Sequence, residues 1–282
     1  VKSHPLAGLS EAATEMRATL KGSYLWEKDP TRALQDPLSF RTTIYTISEA
    51  KRALNDLDEL VNVQINSSDD NPGVILNASK EDLESSQVAQ YFVKGEGLEG
   101  AIIPSANFEL LPIAIAAERA AIALGHVAHN SLHRTLRLDE DRFSGLSRYL
   151  AGPNNTAGHS FGATEDSMVS IYAENVELVN PVSLASTPVE GNIEDSASNL
   201  PRVANRLERS ASNLIDLYAM EMLHNTQAID LRKMKRSDVK LSEKTQALYD
   251  AYRKVVPFVE KDRIFSEDLE AGIKLLKSYD VK

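Results

Sequence analysis

From Leu110 to Ala128 the chain is almost unbroken Ala, Ile and Leu, with Glu118, Arg119 and His126 among its few polar positions. A helix that is apolar nearly all round must be covered on most sides, so this one belongs in the middle of a bundle. Pro112 is compatible with it, because in a first turn the missing N–H has no intrahelical partner to lose. Other stretches read the same way. Ser10 to Leu20 has a serine at its start and Gly22 just beyond its end, which predicts a short helix capped by Ser10. Between Pro37 and about Asn66 there is no glycine and no further proline, and Leu54, Leu57, Val61 and Ile65 recur at spacings of three and four, the signature of one long amphipathic helix. It should stop at Ser67-Ser-Asp-Asp-Asn-Pro-Gly73, where Pro72 forbids continuation. Further helices are predicted at roughly Gly162 to Val179, Ser196 to Asn225, Ser242 to Val256 and Ser266 to Tyr279. Strand signals are confined to brief runs such as Gly73–Leu76 and Ala101–Ile103. The expected fold is all-α with long helices, and the long polar loops Tyr149–Ser160 and Asn180–Ser196 are where a site is expected.

Composition narrows the function. The 282 residues carry a formal net charge of -10, which opposes binding to nucleic acid or anionic lipid. There is no cysteine, so disulfides, thiolate catalysis and zinc-thiolate sites are excluded. Val1 to Leu9 has no continuous apolar run, and no stretch of about 20 residues is free of charge, so neither secretion nor membrane spanning is expected. A cytoplasmic protein acting on a small molecule or another chain is the expectation.

Three strings carry candidate chemistry. In Gln35-Asp36-Pro37-Leu38-Ser39-Phe40-Arg41, Asp36 and Pro37 make a helix start and Arg41 falls one turn on, where a guanidinium could clamp a carboxylate. The ordinary alternative is an Asp36 cap and a structural ion pair at Arg41. Asn107-Phe108 opens the apolar helix, where an aromatic is normally core. Gly191-Asn192-Ile193-Glu194-Asp195-Ser196 precedes a helix, and its ordinary alternative is acidic capping by Glu194 and Asp195.

The order of these strings resembles the aromatic amino acid ammonia-lyase and aminomutase family, of the histidine and phenylalanine ammonia-lyase type. His4-Pro5, Asp70-Asn71-Pro72, Ser144-Gly145-Leu146, Ser186-Thr187-Pro188 and Gln227-Ala228-Ile229-Asp230-Leu231-Arg232 also fall in the family's order, so the resemblance runs to at least Arg232. It implies a long-helix bundle of the ammonia-lyase type, also seen in fumarase and aspartase, lacking the N-terminal domain that forms the prosthetic group. Residues 1–282 would then be a single helical unit: an opening helix and loop at 1–36, a central bundle with the site loops at 37–232, and C-terminal helices at 233–282. Fumarase and aspartase themselves are disfavoured, since their Gly-Ser-Ser-x-Met-Pro loop has no counterpart.

By resemblance, Arg41 would bind the substrate carboxylate, Gln35 would support catalysis, Phe108 would pack beside the substrate or the prosthetic group, Glu194 would face the substrate's amine or ring, and Asn71 would hold a turn. Two positions depart from the family pattern: Leu38 stands where a tyrosine is usual, and Ile193 where an amide is usual. Both make the pocket less polar. The family's methylidene-imidazolone electrophile forms from Ala-Ser-Gly, a triplet this chain lacks. The electrophile and the tyrosine base are therefore expected from an N-terminal portion or companion subunit, and the isolated chain is expected to be inactive. A tetrameric homo-oligomer sharing its bundle is implied as well. The competing class is a non-catalytic homologue that scaffolds or regulates a partner chain. His126, His129 and His133 share a helical face, but without a His-Glu-x-x-His arrangement a metal site is not expected there.

Overall fold

A computed structural model describes residues 3–83, 85–155 and 159–280. In chain order the elements are α1 (Leu9–Thr19), α2 (Leu38–Arg41), α3 (Thr43–Ile65), β1 (Gly73–Leu76), α4 (Ser86–Ala89), β2 (Phe92–Gly95), β3 (Leu98–Ile103), α5 (Leu111–Asp139), α6 (Asp141–Ser144), α7 (Gly162–Leu178), α8 (Leu200–Lys235), α9 (Glu243–Arg253) and α10 (Ser266–Ser278). The architecture is all-α, as the spacing of apolar residues predicts. Of the two site-bearing loops, 149–160 includes residues 156–158, which lie outside the described residues.

The helix boundaries differ from the sequence expectation in ways that side chains explain. Helix α1 is capped not by Ser10 but by Gly8, at φ 77°. A Cβ at Gly8 would sit 2.9 Å from Ser48 Oγ, so both its conformation and its surroundings select glycine. The long helix expected from Pro37 is broken at Thr42 (φ -89°, ψ 0°), which separates α2 from α3. Helix α8 starts only at Leu200 and runs 36 residues, about 54 Å. Asn199 cannot be helical, because it takes φ 52° while its side-chain amide donates to the Val182 carbonyl at 3.0 Å. Glu194 and Asp195 thus precede the helix by more than a turn and cap nothing.

The chain divides into two compact units. The first comprises Val1–Arg52, Ala120–Asn180 and Arg206–Lys282, and the second Ala53–Arg119 and Pro181–Asn205.

The core of the first unit gathers Leu146, Leu150, Phe161, Leu223, Tyr252, Val256 and Val259. Inside it Gln227 is fully buried, donating to the Leu150 carbonyl (3.2 Å) and the Val259 carbonyl (2.9 Å) and accepting from the Val259 N–H at 3.0 Å. One amide thereby satisfies the backbone of two irregular segments that have no ladder of their own. Gln227→Leu is expected to cost about 3 kcal/mol, since it orphans several buried backbone groups. Urea unfolding reads this directly, and a loss below about 1 kcal/mol would mean water replaces the amide.

The second unit holds a three-stranded antiparallel sheet in the order β1-β3-β2, with Gly73 opposite Ile103 and Phe92 opposite Ala101. Strands β1 and β3 match the sequence expectation, but β2 was not expected. Its signal is the Glu96-Gly97 pair, both at positive φ (50° and 79°), which closes a tight hairpin between β2 and β3. In the same unit the Glu118 carboxylate of α5 accepts from the backbone N–H groups of Val182 (2.6 Å) and Ser183 (2.8 Å) and from the Ser183 hydroxyl at 2.9 Å.

By length and composition alone α5 could cross a membrane, but core helices of helical proteins pass the same test. Ala114, Ala117, Ala120, Ala121 and Ala128 are buried, whereas Leu111, Ile115 and Ile122 are exposed in the single chain.

Candidate active site

In the first unit the loop leading to Gln35 is tied down at Asp29. Its carboxylate accepts from the Thr31 backbone and hydroxyl (2.9 and 2.6 Å) and from Arg236 at 2.7 Å. The Thr31 hydroxyl first, then Arg236, hold Asp29 well below the usual carboxylate range. Pro37 then takes the N-cap position of α2, with no side-chain cap from Asp36. Arg41 closes the single turn of α2 and donates Nη1–H to Gln35 Oε1 at 2.7 Å. Both side chains are exposed, and Leu38 on the same turn is 65% exposed. Among the described residues no carboxylate pairs with Arg41. Two cavities of this unit, of about 430 and 740 Å³, are lined by Tyr24, Leu25 and Arg232 among others, and by none of Gln35, Leu38 or Arg41. The side chains of Gln35, Leu38 and Arg41 are all exposed at the surface.

In the second unit Asn71 accepts from the Ser105 N–H at 3.0 Å, while the Ser105 hydroxyl donates to the Asp70 carbonyl at 3.0 Å. This pins the segment after β3 to the turn before β1, three residues ahead of Phe108. The Asn71–Pro72 peptide is cis. Phe108 is 53% exposed rather than core. Ile193 and Glu194 lie on a small loop closed by the Val189 N–H donating to the Glu194 carbonyl at 3.0 Å, with Gly191 at φ 67° in its bend. Both side chains face solvent.

The His129 and His133 rings lie with centroids 4.3 Å apart and planes tilted by 52°, and His129 lies edge-on to Tyr172. Burial, then the neighbouring His129, push the His133 pKa down. No cluster able to hold a metal exists among the described residues.

Sequence reasoning missed two buried ionic groups of the first unit. One is Arg134 with Glu221, hydrogen-bonded bidentately through one guanidinium edge, Nε and Nη2 (2.6 and 2.8 Å). The other joins Asp139, Glu165 and His224, with His224 Nε2 3.3 Å from Asp139 and 3.0 Å from Thr164 Oγ1. The available signal was a charged residue set within an otherwise apolar helical stripe.

The all-α, long-helix architecture is that of the helical, ammonia-lyase-like proteins. This chain belongs to the aromatic amino acid lyase family, whose pattern matches residues 1–254. It is similar to histidine ammonia-lyases from Vibrio cholerae (28% identity over 244 residues, 86% of this chain and 43% of that protein) and Geobacillus thermodenitrificans (28% over 276 residues, 97% and 49%). The chain thus spans about half the length of the curated relatives it matches. Among solved structures it resembles an ergothioneine-degrading enzyme, ergothionase, from Treponema denticola (TM-score 0.81, 33% identity, 96% of this chain and 49% of that one). It also resembles the tyrosine aminomutase of Streptomyces globisporus (TM-score 0.78, 25% identity, 97% and 51%).

Proposed function

We propose that this chain supplies the carboxylate clamp and part of the pocket wall of an ammonia-lyase or aminomutase acting on an aromatic amino acid. The observation that carries this reading is the Gln35–Arg41 hydrogen bond. It fixes one edge of a guanidinium that has no carboxylate partner among the described residues, leaving its other N–H groups free for a bidentate grip. Phe108 would lie along the substrate ring, Glu194 would accept from the amine, and Leu38 and Ile193 would wall the pocket. Asn71 would serve by holding the Phe108 segment.

The residues present are compatible with the family's methylidene-imidazolone, because the Gln35 amide N–H groups have no partner among the described residues and can face a neutral heterocycle. When bound, that group supplies the electrophile that turns an amine into a leaving group. It would come from an N-terminal portion or companion chain. Leu34 and Ile193, 98% and 84% exposed, are apolar surfaces that such a portion and further copies in a cytoplasmic homo-oligomer would cover.

The test uses the complete protein with L-histidine, L-phenylalanine, L-tyrosine and ergothioneine, following the conjugated acid that elimination produces or the migrated amine. Arg41→Ala is expected to lower kcat/KM about 100-fold by removing a charge-assisted bidentate contact. An effect within twofold would remove the clamp. Turnover of none of these substrates would favour the non-catalytic reading, which Leu38 at the usual tyrosine position supports.

A further inference from the structure

Helix α2 is four residues long, far too short to hold a conformation by itself, so whatever fixes Arg41 must come from outside it. The break at Thr42 shows what that is. The Thr42 hydroxyl donates to the Leu38 carbonyl (2.7 Å) and the Thr43 hydroxyl to the Ser39 carbonyl at 3.1 Å. Each hydroxyl has one hydrogen, which is thereby committed to α2, and each oxygen still accepts. Thr42 Oγ1 accepts from Asn130 Nδ2 at 3.1 Å, and the same amide reaches Thr46 Oγ1 at 3.3 Å. Thr43 Oγ1 accepts from Arg134 Nη1 at 3.4 Å.

Arg134 cannot easily move. Its Nε and Nη2 edge is locked onto Glu221 at 2.6 and 2.8 Å, and Glu221 Oε2 also accepts from Ser131 Oγ at 2.7 Å. Side-chain exposures of 13% and 7% make this a largely desolvated pair. A rigid ionic joint between α5 and α8 therefore points its spare N–H at a threonine that holds the turn carrying Arg41.

We propose that Asn130 and Arg134, acting through the Thr42 and Thr43 hydroxyls, are the positioning residues of the Arg41 carboxylate clamp. The inference rests on the clamp reading above. It assigns to two threonines and two residues of α5 the task of aiming a guanidinium they do not touch.

The experiment measures, by calorimetry on the complete protein in its native assembly, the affinities of 3-phenylpropionate and 3-phenylpropanamide and of the matching imidazole-ring pair. These probes lack the leaving amine, and within each pair they differ only in the carboxylate. The wild type should prefer the acid. Thr42→Val with Thr43→Val keeps shape but removes both hydroxyls, and is expected to cut that preference about tenfold while amide affinity changes less than about twofold, as sub-ångström misaiming of a binding group does. Thr42→Ser with Thr43→Ser should retain the wild-type preference, and Asn130→Ala should lose part of it.

Equal losses of acid and amide binding in the valine variant would show a merely structural role and overturn the inference. So would an unchanged preference in that variant while Arg41→Ala abolishes it, an outcome that leaves the clamp standing. Preference surviving Arg41→Ala, or no binding of any probe to the wild type, would overturn the clamp itself.

Discussion

Glu221→Ala is expected to destabilise the protein by about 3–5 kcal/mol, because it leaves the Arg134 guanidinium charged and unpaired in the first unit's interior. The two side chains are 13% and 7% exposed, and Ser131 Oγ would lose its acceptor as well. Replacing both partners with shape-matched apolar residues, Arg134→Met with Glu221→Leu, should cost far less, since desolvation opposes most of the pair's Coulombic gain. Equilibrium denaturation of the two variants separates the cases. If both lose the same stability, the pair matters as packed volume rather than as charge.

Asp139→Ala is expected to cost a similar amount, about 3–5 kcal/mol near neutral pH, and to change how stability depends on pH. His224 Nδ1 lies 2.7 Å from the Met220 carbonyl, which can only accept, so Nδ1 carries a hydrogen. Nε2 lies 3.0 Å from the Thr164 hydroxyl and 3.3 Å from Asp139 Oδ2. Burial, the largest single effect, opposes a charge on His224, but Asp139, the Met220 carbonyl and Glu165 together hold its pKa above the ordinary 6.5. Burial first, then the Asp139 charge, push Glu165 from an ordinary 4.5 up to about 7.

Both shifts act in the same direction. A carboxyl raised in the folded state binds more protons folded than unfolded between pH 4.5 and about 7, so stability falls as pH rises through that window. The raised imidazole contributes fully below pH 6.5 and loses its contribution as pH rises through its folded value. The lowered His133 acts the other way, which is why the comparison is between variants. Tm should decline from pH 5 to 8 in the wild type relative to Glu165→Gln and Asp139→Ala. Parallel Tm profiles for all three would rule out the cluster as the titrating element.

Much of the scaffold was legible because a helix writes its buried face into one continuous stretch, as α5 and the Leu54–Ile65 part of α3 do. The Gln35–Arg41 hydrogen bond is local in the same way, since its partners are only six residues apart. What sequence hides is pairing across distance. Arg134 and Glu221 are 87 residues apart, and each alone reads as a polar position on a helix. The break at Thr42 is hidden similarly, since it depends on side chains of α5 supporting hydroxyls that could as well have decorated an unbroken helix. The Ser10 expectation failed because a good capping residue lay two positions from a glycine that tertiary packing required.

The grip of Glu118 on the chain after Pro181 has an evolutionary corollary. Two of the contacts described above are to main-chain N–H groups, and another needs only a small hydroxyl at Ser183. Such an attachment does not care which side chains follow. The segment from Leu184 to Glu194 can therefore exchange residues while staying moored at its root, so a lineage can vary this loop without redesigning the helix that holds it.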